Sequence, residues 1–131
     1  PRPPQGRPGD GPRRDGPSRS CVRLERDGVR KAVSYRVDAA REELVVAAAA
    51  TQGAPELVVP VSAIWDIYTI EDGPQCFSRG VLESVPPEER AGLCCVVADA
   101  PDCRGSGGLY LLEGSRRARD RLLATLAGLR R

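Results

Sequence analysis

Apolar and polar side chains alternate with a period of two from Cys21 onward, which is the pattern of half-buried β-strands. The alternation pauses at Asp27-Gly28, a pair typical of a tight two-residue hairpin turn. It resumes at Val29, and further apolar segments follow at short intervals, separated by polar or glycine- and proline-containing turns. The pattern predicts seven strands, at residues 21–25, 29–37, 43–50, 57–61, 64–70, 92–98 and 109–112.

The period changes to that of a helix near the end of the chain. Ser115 is a suitable N-cap, and an apolar stripe at helical spacing follows it, formed by Ala118, Leu122, Leu126 and Leu129. This predicts one amphipathic helix over residues 115–130. Residues 74–92 are predicted as a long connection. Strand spacing and order therefore favour a mainly β fold, a seven-stranded antiparallel barrel capped by a C-terminal α-helix, and leave another small β-barrel open.

Composition divides the chain into a leader and one domain. Residues 1–20 contain six prolines and four glycines, so they bury little apolar surface and are predicted to be disordered. Residues 21–131 are predicted to form the folded domain. Charge divides the chain into three parts, since residues 1–20 carry a net +3, residues 21–114 (the body) a net −6 and residues 115–131 a net +5. An acidic body argues against a nucleic-acid partner.

The spacing of the cysteines and the lack of histidine limit the metal sites and catalytic sites that the chain could form. The five cysteines form no CxxC pair and there is no histidine, so neither a conventional zinc site nor a Cys-His nucleophile is expected. No catalytic constellation is found, and we predict a non-enzymatic chain with no cofactor and no metal. An odd, irregularly spaced set of cysteines suits a reducing compartment. No apolar run approaches the roughly 20 residues that span a bilayer.

Three segments in order resemble a pleckstrin-homology (PH) domain, nearest to those of phosphoinositide-specific phospholipases C. Residues 64–73 (IWDIYTIEDG) fit the family pattern I-x-D-I-x-x-[IV]-x-x-G at the fifth strand. Residues 85–90 (VPPEER) resemble the turn before the sixth strand, and residues 108–112 followed by Ser115 resemble the closing strand, turn and helix. The sequence departs from the family at Leu122, where the final helix usually carries a tryptophan.

In organisation, the chain also resembles the inner membrane complex sub-compartment proteins of apicomplexan parasites. The shared features are size and a single such domain after a short variable leader. That resemblance implies acylation at the natural N-terminus, residence on the inner membrane complex and a role in organising daughter-cell formation.

The PH resemblance implies that a phosphoinositide head group would be held by basic residues of the first hairpin. The candidates are Arg23, Arg26, Arg30 and Lys31. The match is poor, because the Asp27-Gly28 turn leaves no loop to wrap a head group and Glu25 falls where a second basic residue often sits. The arginine that the family places on the second strand falls at Val33. We therefore expect weak or absent phosphoinositide binding, without head-group selectivity.

Trp65 and Tyr68 are the candidates for a protein interface, since tryptophan and tyrosine are enriched in interface hot spots. With Ile64, Ile67 and Ile70 expected to face inward, Trp65 faces solvent or a partner, although partial burial in the core is an equal alternative. The nearby acidic residues Asp66, Glu71 and Asp72 are interpreted as solvated edge charges. Cys94 and Cys95 are neighbours on one strand and must point to opposite faces.

These observations predict a protein-interaction or scaffold domain of a membrane-associated protein. Its attachment would come from acylation outside the chain, its phosphoinositide site would be degenerate, and its place would be the cytoplasmic face of a membrane, as a peripheral protein. The alternative function is a domain that binds phosphoinositide or other anionic lipid head groups through the basic residues of the first hairpin.

Overall fold

The computed structural model describes residues 18–49, 55, 57–100 and 108–130. Seven strands form one antiparallel sheet in the order β4-β3-β2-β1-β7-β6-β5, which confirms the predicted strand count and class. The strands are β1 (Arg19–Leu24), β2 (Arg30–Asp38), β3 (Glu43–Ala48), β4 (Leu57–Pro60), β5 (Ile64–Thr69), β6 (Leu93–Ala98) and β7 (Leu109–Leu112).

Strand β1 joins the two halves of the sheet, because it pairs with β2 on one side and with β7 on the other. It begins at Arg19, which lies opposite Tyr35, two residues before the predicted start of the first strand at Cys21. The polar Arg19 and Ser20 carry no alternation signal, and backbone pairing alone adds them to the strand. Of the predicted leader, residues 1–17 lie outside the described residues.

The barrel core is formed by inward-facing side chains of the strands together with one face of the final helix. Helix α2 (Arg116–Leu129) begins after Ser115, whose Oγ accepts a hydrogen bond from Ala118 N at 3.1 Å. Leu122 and Leu126 are buried among core residues that include Val33 and Leu111. The helix predicted to cap the barrel is confirmed, and Leu122 on its inner face is a buried apolar residue.

The predicted connection at residues 74–92 has structure of its own. It contains helix α1 (Arg79–Ser84), preceded by a 3-10 turn at Pro74–Cys76 and followed by another at Pro87–Gly92. Ser78 caps α1, since its Oγ accepts from Val81 N at 3.2 Å. Such a short helix has little intrinsic stability and depends on its packing.

Helix α1 covers a second cluster on the outer face of the sheet, which we call the outer core. Its buried members are Leu24, Phe77, Val81, Val85, Leu93, Cys95, Tyr110 and Leu112. Strand β6 is consequently buried on both faces: Cys94 belongs to the barrel core and Cys95 to the outer core, as the alternation predicts.

Candidate functional site

The loop between β1 and β2 is tight, and it is one residue longer than predicted. Gly28 N donates to Glu25 O at 2.8 Å, and Glu25 N donates to Val29 O at 2.9 Å, so the loop contains three residues beginning at Arg26. Gly28 has φ of +95°, a left-handed conformation that disfavours any side chain. This is the three-residue hairpin in which a glycine bulge follows the turn, rather than the two-residue turn that the Asp-Gly pair indicated.

Helix α1 is fastened against this loop. Ser78 Oγ donates to Arg26 O at 2.7 Å. The backbones of Gly28 and Gly80 approach so closely that a Cβ atom on Gly80 would lie 2.6 Å from Arg26 O. The β1–β2 loop is thus closed on itself and held by a neighbouring element.

Two of the four candidate basic residues share the inward face at the hairpin end of the barrel. Arg23 lies directly opposite Lys31 in the β1–β2 register. By alternation, Arg23 is on the face of Cys21 and Lys31 on the face of Val33, both of which contact the barrel core. Glu25 stands beside them, with its Oε2 3.9 Å from Lys31 Nζ. We call Arg23, Glu25 and Lys31 the barrel mouth.

The other two candidates, Arg26 and Arg30, do not share this face. Arg30 is on the opposite face of β2, where its Nη2 donates to Ser84 O at 2.6 Å and lies 3.8 Å from Glu89 Oε1. Arg26 lies in the exposed loop. Because successive residues of a strand point to opposite faces, Arg30 and Lys31 cannot both face the mouth.

The net positive charge at the mouth is small for a site that would bind phosphate groups. Its two cations are offset by the carboxylate of Glu25, and Val33, at the position expected for an arginine, is only 1% exposed within the barrel core. A polyphosphorylated head group needs several converging cationic donors because each phosphate carries up to about two negative charges. The described residues bring two such donors together.

The two aromatic candidates, Trp65 and Tyr68, also lie in different surroundings. Trp65 is 67% exposed, which excludes the alternative of partial core burial. It occupies a β-bulge, since Ile64 pairs with Ala98 while Asp66 pairs with the adjacent Val97, leaving Trp65 as the extra residue of β5. The bulge interrupts the period-two alternation, and Ile64 and Ile67, both predicted to face inward, both contact the barrel core.

Tyr68 is half-buried and packs against the outer core. Its hydroxyl is hydrogen-bonded to the Asp66 carboxylate, and this bond raises the pKa of Tyr68. Ile70, expected to face inward, follows the end of β5 and also packs against the outer core. Of the two predicted interface residues, Trp65 is therefore the exposed one, and Tyr68 packs against the outer core.

The acidic residues after β5 have structural partners rather than being solvated edge charges. Glu71 Oε1 accepts from Arg119 Nη1 at 2.7 Å, and Asp72 Oδ2 accepts from Thr69 N at 2.8 Å. Arg119 is 3% exposed and was missed as a buried residue. Its spacing from Leu122 and Leu126, three and seven residues, places it on the buried stripe and is the signal that could have found it.

In the part of the chain that the structure describes, no group of three or more His, Cys, Asp or Glu side chains is arranged to hold a metal ion. Within that same part of the chain, no helix is long and apolar enough to cross a bilayer.

Neither a family model nor a curated protein matches this chain. Among solved structures, it is similar to the C-terminal PH domain of pleckstrin in complex with D-myo-Ins(1,2,3,5,6)P5, with a TM-score of 0.60 and 11% identity. The match covers 89% of this chain and 96% of the pleckstrin chain. At this low identity the likeness shows the fold, which is that of a PH domain. The finer likeness to phospholipase C domains stays a prediction.

Proposed function

We propose that this PH-fold chain is a non-catalytic docking module that binds a protein partner at the cytoplasmic face of a membrane, with a degenerate phosphoinositide site. The main support for the proposal is the position of Arg30. Its side chain donates a hydrogen bond to Ser84 O of α1 and does not face the mouth. What remains at the mouth is a pair of cations with a neighbouring carboxylate, a poor match for a polyphosphate.

An exposed tryptophan supports a protein partner. Trp65 is the most exposed large apolar side chain described, and it projects from β5, at one edge of the sheet order. Tryptophan in a strand bulge is held on a rigid scaffold, so its burial by a partner loses little side-chain entropy. Membrane attachment would then be supplied by acylation outside this chain or by the partner itself.

The resemblance to apicomplexan inner membrane complex proteins extends this proposal. It would place the chain on that membrane complex, where it would help to organise daughter-cell formation. That assignment rests on sequence organisation alone and stays a prediction.

The alternative is a domain that binds anionic lipid head groups. It is favoured by the direct opposition of Arg23 and Lys31 on the inward face, and by the inositol phosphate bound to the pleckstrin PH domain. In this alternative, Arg23 and Lys31 contact the phosphates, Arg26 approaches from the loop, and Arg30 contributes only after leaving α1.

Liposome flotation of the unacylated chain distinguishes the two functions. Vesicles of neutral lipid, neutral lipid with phosphatidylserine, and neutral lipid with each phosphoinositide are compared at low and high salt. We expect weak attraction to every anionic vesicle and no preference among phosphoinositides. The attraction should fade as salt shortens the screening length from about 10 Å at 0.1 M to about 3 Å at 1 M.

The matched variants are Lys31→Gln at the mouth and Arg79→Gln, an exposed cation on α1. Each removes one positive charge, so long-range attraction should fall by similar amounts in both. Flotation with a single phosphoinositide that survives high salt and is lost only in Lys31→Gln would instead establish the head-group function.

A further inference from the structure

A groove of about 530 Å³ lies between strand β2 and helix α2. Tyr35 and Val37 form one wall, and the turns of α2 over residues 121–129 form the other. Arg19 joins the lining from the start of β1, where it pairs with Tyr35, whereas the mouth residues lie toward the other end of that strand pair. The groove is therefore separate from the mouth, and Trp65 does not line it either. Its size is within the range of about 300–1,000 Å³ that is usual for ligand sites.

The floor of the groove is apolar, and its side chains lie on one side of the sheet. Tyr35, Val37 and Leu122 belong to the barrel core, and the partly buried Leu129 packs against it. Gly128 is exposed on the α2 wall, and a Cβ atom there would meet no atom within 4 Å outside its own stretch of helix. The lack of a side chain at this position leaves room beside Leu129 for an apolar group of a ligand.

The charged side chains that line the groove are all arginines. Arg19, Arg36 and Arg121 contribute to the lining, and no described carboxylate does. The Nη1 atom of Arg36 lies 3.8 Å from Asp38 Oδ2. Arg19 and Arg121 are exposed, and neither forms an ion pair with any described residue. The groove is thus locally positive although residues 21–114 carry a net −6, so it would attract a negatively charged ligand.

An acidic polypeptide with apolar side chains fits this lining better than a phosphate head group does. The planar guanidinium of an arginine suits a carboxylate, whereas a polyphosphate needs several converging donors and would meet an apolar floor. The α2 wall over residues 121–129 is about 12 Å long, at about 1.5 Å per residue. About four residues of extended chain span that length, at about 3.3 Å each.

The chain's own leader matches the groove poorly in charge. Residues 1–17 lie outside the described residues and contain four arginines and two aspartates. Because their net charge has the same sign as that of the groove, we expect the occupant to come from another chain.

We propose that this groove binds an acidic segment of a partner protein, with apolar side chains packed at Gly128 and Leu129 and with Arg19 and Arg121 donating to its carboxylates. The inference rests on the proposed function in that the partner is a protein, and it adds the chemistry of that partner. Its test uses neither a membrane nor an inositol phosphate. The groove can therefore fail as a site while the degenerate head-group site and docking through Trp65 still stand.

The test is an NMR titration of the ¹⁵N-labelled chain with acetyl-Glu-Glu-Leu-Leu-Glu-Glu-amide. One comparison peptide carries glutamine in place of each glutamate, and the other carries serine in place of each leucine. We expect saturable shifts of groove amides, at Val37, Ala39, Thr125 and Gly128, with the first peptide. Each comparison peptide should bind about tenfold or more weakly, because one loses the charge-assisted hydrogen bonds and the other loses the apolar burial.

Three variants locate the effect. Arg19→Gln combined with Arg121→Gln should weaken binding of the first peptide by about tenfold, since two exposed ion pairs are lost. Arg117→Gln combined with Arg130→Gln removes the same charge from exposed positions outside the groove, and it should change the affinity by less than about twofold. Gly128→Leu should abolish binding by filling the groove. This variant is expected to fold, because the position is open and leucine favours a helix more than glycine does.

Several results would overturn the proposal. Equal binding of the glutamate and glutamine peptides, or of the leucine and serine peptides, would remove one half of the recognition. The absence of saturable shifts at the groove, equal losses in the two arginine pairs, or full binding by a folded Gly128→Leu would place any binding elsewhere. Shifts of the groove amides caused without peptide by Asp10→Asn combined with Asp15→Asn would assign the groove to the chain's own leader.

Discussion

Replacing Leu126 with alanine should lower the free energy of unfolding by about 2–5 kcal/mol, the range observed when a fully buried leucine is truncated. Leu126 is 0% exposed and lies among the barrel-core residues beneath α2. The loss has two parts, the transfer of the removed methyl groups and the cavity that the strands cannot close. Denaturant unfolding followed by circular dichroism measures the difference.

Thr125→Ala is the control, because Thr125 is exposed on the same helix and hydrogen-bonds only to Arg121 O. We expect a change within about 0.5 kcal/mol for this variant. If Leu126→Ala unfolded at the same denaturant concentration as the unaltered chain, α2 would not close the barrel.

Replacing Phe77 with alanine should cost about 3–5 kcal/mol, and the loss should be concentrated in the segment around α1. Phe77 is 6% exposed in the outer core, with its ring centroid 6.2 Å from that of Tyr110. Because α1 has only six residues, it cannot persist without this packing. Native-state hydrogen exchange should therefore show greater loss of protection at amides 80–84 than in α2.

Glu83→Ala provides the comparison, since it alters α1 at an exposed position, and it should change stability by at most about 0.5 kcal/mol. Phe77→Ala should also release the β1–β2 loop, which α1 holds through Ser78 and Gly80. Unchanged protection of α1 in Phe77→Ala would show that the outer core does not stabilise this segment.

The sequence predicts the barrel well because its strands follow the period-two rule and its final helix follows the helical one. Cys94 and Cys95 illustrate this, since alternation alone places them in the two different cores. Asp27-Gly28 locates the first hairpin, although the left-handed Gly28 forms a bulge that makes the loop three residues long.

The outer core was missed because its helix is short and enclosed by prolines. Phe77, Val81 and Val85 do recur every four residues, a weak helical signal within a segment otherwise typical of a loop. The role of Arg30 could not be predicted at all, because its partner Ser84 is 54 residues away in sequence. The same limit applies to Glu113, whose burial arises only when Tyr35 and Cys21 are assembled around it.

Trp65 shows how one local irregularity changes a site. In a regular strand, alternation with Ile64 and Asp66 would fix the face on which the Trp65 side chain lies. In the bulge, Trp65 is an extra residue, so its exposure does not follow from that alternation. The candidate interface was therefore identified by residue type, and its geometry required the structure.

Calorimetric titration of the chain with soluble inositol polyphosphates, including D-myo-Ins(1,2,3,5,6)P5, tests most directly whether the head-group site is degenerate. We expect no saturable binding in the micromolar range at about 0.1–0.15 M salt, because Arg30 is held by α1 and Glu25 offsets Lys31. Saturable micromolar binding that is selective for one inositol phosphate, and is abolished by Arg23→Ala or Lys31→Ala but not by Arg79→Ala, would contradict this and establish the mouth as a working phosphate site.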